Sequence, residues 1–323
     1  MSKPNVIIAI FGAVSVAINT CLFLSYAHQH TGLSRSHDEL LIAPQNIRSN
    51  RADGCYHVLI DVGANIGVHT RFLFEPEKYP ESKVAVRHFA ALFGATRDNR
   101  DFCSFGFEPN PAHKGRHLKL QSAYKRVNWR YHPIFAGVSD EDGDMLFYHM
   151  GKRDESQMEF GFNSLRKRNQ YGEDGRAETV PIIRLATFLQ QIRDRRLPKV
   201  VFGDYADGPK VVMKLDTERM EWVILPDLIT SGMLCQTVDF AFGEFHAQQF
   251  FFPIDKPGLH LANAEEGRAF GEALIKVIHS SQHCKTKYSV GDDESYLKDR
   301  EIFQLKDRQI EGDEIPFPQP PNR

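Results

Sequence analysis

The chain as a whole carries no strong excess of one charge; its basic runs, Arg166 to Arg168 and Arg193 to Arg196, read as solvated faces, with an anionic acceptor as the other reading. Forty lysines and arginines against 42 acids leave a formal net charge of −2, and the pI is near 6.7. That balance offers no basic footprint for nucleic acid, which is therefore not expected as a partner. No C-x-x-C pair occurs among the five cysteines, so the metal-type spacing is missing. The first glycine-rich turn is not G-x-G-x-x-G, and G-K-[ST] is absent; the usual dinucleotide and Walker phosphate loops are excluded there. There is no N-x-[ST] sequon and no internal repeat. The missing sequon does not exclude a secretory route. Long apolar runs are scarce too. The one example, Val6 to Ala27, is 22 residues without a charge.

As a helix that run is about 33 Å long, enough to cross a hydrocarbon core of about 30 Å. It exceeds the apolar core of a signal peptide, which favours an uncleaved anchor. Small residues at Ser25 and Ala27 keep cleavage and secretion open as the alternative. The expected organisation is a short cytoplasmic tail (1–5), a transmembrane anchor (6–27), a polar stem (28–54), a main domain (55–300) and a tail (301–323) whose last eleven residues hold four prolines. The domain is then expected in the lumen of the endoplasmic reticulum or Golgi. Leaving out Cys21 in the apolar run, four cysteines remain. Cys55–Cys103 with Cys235–Cys284 is one of three possible pairings, and four buried thiols is the other reading. With 41% hydrophobic and 25% charged residues, the remainder has ordinary globular composition.

The most informative segment is 57–70. Val58, Leu59, Ile60 and Val62 have strand character, and the turn D-V-G-A-N-I-G spans Asp61 to Gly67. An amphipathic run begins at Val68. This reads as a buried parallel strand, a tight turn and a helix N-terminus, a unit that offers backbone N–H groups to a small polar ligand. A second short strand runs through 104–108 and ends in F-E-P-N-P, Phe107 to Pro111. A carboxylate there, Glu108, is placed to accept hydrogen bonds from both ribose hydroxyls of a nucleoside. A third strand ends in K-L-D-T-E-R-M-E, Lys214 to Glu221, and a fourth in E-F-H, Glu244 to His246. Lys214 is expected to pair with Glu218 or Glu221, and Asp239 to lie at a sheet edge or in a pair.

In this order the four motifs resemble the FkbM-type family of class I S-adenosylmethionine-dependent methyltransferases, over roughly residues 55 to 250. Arg219 departs from the pattern, because the family has glycine there. The stretch Gly291 to Asp299 resembles the tail of membrane-anchored relatives. The resemblance implies a doubly wound, mostly parallel α/β sheet of Rossmann-like type. It also implies S-adenosylmethionine as cofactor and transfer to a hydroxyl, on a glycan, lipid or other small-molecule acceptor. Asp61, Gly63, Ala64, Asn65, Gly67 and His69 would then hold the methionine and sugar side, and Glu108 the ribose. Asn110 and the strand end at Ala136 would border the adenine. Asp216 is the candidate to orient or deprotonate the acceptor, with His246 as alternative base and Glu244 beside it. No metal is expected, and the oligomeric state is not legible. Two other readings stand. One is a membrane-anchored glycosyltransferase using Asp142-Gly-Asp144 as a D-x-D motif. The other is a non-catalytic binding relative.

The remaining elements are expected as helix 67–74, helix 111–124, strand 127–136, strand 144–150, a loop-rich stretch 151–178, and a strand passing into a helix over 180–192. Then come strand 210–215, helix 218–230, strand 236–244 and helix 265–280. Asp61 and Glu108 are 47 residues apart, against about 20 in a dinucleotide site. The excess reads as an insertion at the sheet edge, forming either surface padding or part of an acceptor pocket.

Overall fold

The computed structural model describes residues 52–94, 97–149, 162–163 and 177–291. The first half comprises β1 (His57–Val62), α1 (Val68–Phe74), a π-helical turn (Val84–Phe89), α2 (Ala90–Phe93), β2 (Phe102–Phe107), α3 (Lys114–Lys125), β3 (Arg130–Ile134), β4 (Gly137–Ser139), β5 (Gly143–His149) and β6 (Phe162–Asn163). The second half comprises β7 (Ala177–Arg184), α4 (Leu185–Arg195), β8 (Val211–Leu215), α5 (Glu221–Thr230), α6 (Met233–Thr237), β9 (Phe240–Gly243), β10 (Ile254–Lys256), β11 (Leu259–Leu261), α7 (Ala264–Ser280) and β12 (Lys287–Val290).

Six strands form one sheet in the order β12-β9-β8-β1-β2-β3, and all five of its strand pairings are parallel. This is a Rossmann-like α/β arrangement, with the strand order reversing between β1 and β8. Every residue of β1 and β8 is buried, as expected for strands covered on both faces. Alternation sorts their side chains. Val58, Ile60 and Val62 join Phe105, Met213 and Leu215 in a core beneath Leu189, Leu228 and Ile278. Leu59 and Val212 face the other way, into a core with Phe72, Tyr124 and Phe242. A second sheet, β4-β7-β5-β6, adds mixed pairing beside the end of β3.

Several expectations need correction. The 75–101 crossover is neither padding nor pocket. Val84, Phe89 and Phe93 are buried and pack with Phe72 and Phe242 against the sheet. The expected strand over 236–244 is shorter: Gly232, at φ 73, starts α6, and only Phe240–Gly243 is strand. Buried Met233 and Leu234 in the main core hold that helical turn. Residues expected to close the stem belong to the domain, since Ala52 is fully buried and the Gly54 amide donates to the Leu197 carbonyl. β12 was not anticipated.

Both disulfides of the named pairing are present, Cys55–Cys103 and Cys235–Cys284. No helix among the described residues is long and apolar enough to cross a membrane. The Val6–Ala27 run, most of the loop-rich stretch and the tail beyond Gly291 lie outside the described residues.

Candidate functional site

One cavity lies beyond the carboxyl ends of β1, β2 and β8, at the point where the strand order reverses. Its wall includes Gly63, Asn65, Glu108, His113, Ala136 and Asp216, with Phe147 reaching in from the second sheet. Ligands of open α/β sheets bind at this position.

The glycine turn owes its shape to its neighbours. Gly63 has φ +79, and a Cβ there would sit 1.7 Å from the Asp216 carbonyl oxygen. Only glycine allows β1 and β8 to end so close together. Asn65 also takes a left-handed conformation, φ 47, which asparagine tolerates better than most residues. Its amide donates to Glu108 Oε2 at 2.7 Å. Its carbonyl lies 2.7 Å from His117 Nε2, and His117 Nδ1 lies 2.6 Å from the Tyr131 hydroxyl. A neutral imidazole satisfies both contacts, Nε2–H donating to the carbonyl and Nδ1 accepting from the phenol. Burial agrees, pushing the His117 pKa down to about 4.

Glu108 Oε1 accepts a second amide proton, from Asn110 at 2.8 Å. Each oxygen therefore spends one lone pair on the fold and retains one for a ligand. Asn110 does not border the cavity; its Oδ1 caps the following turn at the Ala112 amide. His113 was not anticipated. It lines the cavity, is 3% exposed, and neither ring nitrogen has a protein hydrogen-bond partner. Its Nδ1 is 3.7 Å from Glu108 Oε1. Its signal in the sequence was only its place two residues after F-E-P-N-P.

Across the cavity, Asp216 sits between two basic groups. Lys214 Nζ lies 3.0 Å from Asp216 Oδ2 and donates to the Gly63 carbonyl at 2.7 Å. Lys214 thus pairs with Asp216. His246 Nε2 is 3.5 Å from Asp216 Oδ1 and 4.0 Å from Glu218 Oε1. Its Nδ1 is 3.0 Å from Glu221 Oε1. Glu221 is fully buried and also accepts from the Thr217 and Arg219 amides. Burial alone would lower the His246 pKa. The carboxylates of Glu221, then Asp216 and Glu218, outweigh it and raise the pKa to about 10. Glu221 is held below its ordinary value, the cost of its burial being outweighed by His246 and the amide donors. At neutral pH the pair is an imidazolium clamped by carboxylates. Asp216, Glu221 and His246 each offer a ligand atom, and these lie within 4.8 Å of one another, close enough to share a cation.

The other expected residues lie apart from the cavity. Asp61 is fully buried within β1, level with Lys214 in β8 and Gly106 in β2. Ala64 is buried, and Gly67 forms the left-handed start of α1. His69 turns into the core against Phe72 and Phe242. Glu244 follows β9 half-buried and is not in the wall. Asp239 is paired, with Lys285 and the Val211 amide. Both D-x-D residues are exposed, Asp142 on the β4–β5 turn, where it accepts from the Arg184 amide, and Asp144 already within β5.

No family model, curated protein or solved structure matches the chain. Function is therefore argued from the site.

Proposed function

We propose that this chain is an S-adenosylmethionine-dependent methyltransferase of the FkbM type, acting on a hydroxyl of a glycan, lipid or other small-molecule acceptor. The observation that carries the reading is the meeting of the Gly63–Asn65 turn with Glu108 at the switch point of the sheet, across a cavity from Asp216. When bound, the sulfonium cofactor supplies the methyl group. Glu108 retains acceptor positions suited to ribose hydroxyls, and Ala136 and Val138 offer an apolar wall for a base.

Methyl transfer needs the acceptor oxygen held in line and relieved of its proton. His246 is already protonated at neutral pH, so it cannot be the resting base and acts instead as a fixed positive charge. Asp216, beside the cavity, is the proton acceptor this reading assigns. Lys214 and His246 keep its carboxylate oriented. Asp142 is taken up by the Arg184 amide, and the D-x-D residues lie outside the cavity wall, which gives no support to the sugar-nucleotide alternative.

For location, we infer that Val6–Ala27 anchors the chain in a secretory membrane. The two disulfides fit the oxidising lumen.

The test is calorimetric titration of S-adenosylmethionine into the full chain in detergent. Binding by the native chain, weakened in Glu108→Ala, is expected. For Asp216→Asn, binding with turnover lost is expected. A folded native chain that ignores the cofactor overturns the reading.

A further inference from the structure

The two ring nitrogens of His246 stand in different surroundings. Nδ1 meets Glu221 Oε1 at 3.0 Å. Nε2 makes no hydrogen bond among the described residues, although the side chain is only 9% exposed. Its nearest carboxylate oxygens are Asp216 Oδ1 at 3.5 Å and Glu218 Oε1 at 4.0 Å. Both distances are long for a hydrogen bond. They are close to those between ligands of one ion. A divalent ion bonds nitrogen and oxygen at about 2.0–2.2 Å, so two ligands at right or tetrahedral angles lie about 3.0–3.6 Å apart. The Asp216 distance falls in that range. Glu218, 31% exposed, needs only a small shift to join it.

The hydrogen bonds give each carboxylate a separate part. Both oxygens of Glu221 are already taken. Oε1 accepts from His246 and from the Thr217 amide and hydroxyl, and Oε2 accepts from the Arg219 amide. Fully buried, Glu221 is placed as the outer carboxylate that orients a metal-binding histidine through the ring nitrogen away from the ion. Asp216 has Oδ2 3.0 Å from Lys214 Nζ, which leaves Oδ1 turned to His246. Glu218 is brought to the same place by two successive left-handed residues, itself at φ 52 and Arg219 at φ 108. Neither is glycine, and backbone strain of this kind collects at functional sites. Asp216 and Glu218 both line the cavity.

Charge points the same way. Asp216, Glu218 and Glu221 bring three negative charges, and Lys214 with a protonated His246 brings two positive ones. Exchange of the Nε2 proton for a divalent ion makes these five groups neutral together.

We propose that His246 Nε2, Asp216 Oδ1 and Glu218 bind a divalent transition-metal ion, with Glu221 as the outer partner of His246. One imidazole nitrogen and two carboxylates suit manganese or zinc better than magnesium, which favours oxygen ligands and water. Three protein ligands leave coordination positions open toward the cavity. An acceptor hydroxyl can take one of them, with Asp216 beside it as the proposed function requires. That use of the ion rests on the methyltransferase reading, whereas the ion site rests on the geometry alone. In the metal-free chain the Nε2 proton supplies the positive charge that the ion replaces.

The test uses the full chain in detergent, stripped of metal by a chelator that is then removed. Manganese chloride and zinc chloride are each titrated in by calorimetry, with no other ligand present. At least one of them is expected to bind, at one ion per chain. Glu218→Gln and His246→Gln should each weaken binding more than about tenfold, with folding checked by circular dichroism. If His246→Gln does not fold, the half-exposed Glu218→Gln decides. Asp142→Asn, in the exposed D-x-D motif, should bind as tightly as the native chain. Absence of binding for both ions overturns the proposal, and so does undiminished binding by folded Glu218→Gln. Loss of binding in Asp142→Asn moves the ion to the D-x-D turn and overturns it as well. S-adenosylmethionine titrated into the stripped chain separates the two readings. Cofactor binding without ion binding removes the ion site and leaves the methyltransferase. Ion binding without cofactor binding leaves the site and removes its part in methyl transfer.

Discussion

Glu221 and His246 are 25 residues apart in sequence and 3.0 Å apart in space, one opening α5 and the other following β9. Their contact decides the charge state of the site. A histidine that titrates near 6.5 in an unfolded chain stays protonated here until about pH 10.

Stability should therefore depend on pH on the alkaline side. The folded pKa of His246 is raised, so its contribution is complete below about 6.5 and is lost as pH rises through about 10. The unfolding free energy from urea titrations is expected to decline across that window. Glu221→Gln should remove most of the decline and cost about 3 kcal/mol at neutral pH, because it breaks a buried pair. A flat native profile between those limits contradicts the assignment.

Two glycines with nearly the same φ separate steric from conformational cost. Gly63 has φ +79 and Gly94 φ +80, but a Cβ on Gly94 meets nothing within 4 Å. Gly94→Ala should cost about 1–3 kcal/mol of strain, since φ 80 with ψ 161 is a region kept almost entirely for glycine. Gly63→Ala must also push β1 away from Asp216 and is expected to lose more than about 4 kcal/mol or fail to fold. Equal melting temperatures for the two variants would refute this account of the turn.

Arg219 stands at φ 108, a conformation costly for any residue but glycine. Its guanidinium donates to the Pro253 carbonyl at 2.7 Å. Substituting alanine removes that bond and keeps the strain, while glycine removes both. Arg219→Gly should thus be more stable than Arg219→Ala by about 1 kcal/mol, the reverse of the usual order in helices. Differential scanning calorimetry of the two variants reads the sign.

His113 offers a separate handle on the cavity. A buried imidazole without protein hydrogen-bond partners costs the free protein and favours a ligand that supplies them. His113→Phe is expected to leave the melting temperature unchanged or raise it, while weakening S-adenosylmethionine binding about tenfold. A residue serving only the fold would lower stability and leave affinity alone.

Much of the frame was legible in advance. The β1 turn, the end of β2 and the β8 strand were readable because a fully buried parallel strand must be nearly all apolar, and the acid or glycine that ends it stands out. The 75–101 crossover misled because its charged residues are as numerous as its apolar ones, while Val84, Phe89 and Phe93 do the packing. The 233–237 segment misled because five apolar or neutral residues fit a strand as well as a helical turn; contact with the core selected the helix.

The sequence by itself determined the alternation of buried strands and helices, the glycine turn and the acids at the strand ends, since these depend on local pattern and on what each backbone can adopt. Tertiary structure alone decided which groups face one another. Glu221 became the partner of His246, Lys214 that of Asp216, and Asn110 a turn cap. His113 entered the cavity, and His69 left it for the core. Those outcomes depend on burial and on distances of a few ångströms between residues far apart in the chain. Burial and nearby charge, not residue type, decide whether a histidine is neutral like His117 or charged like His246.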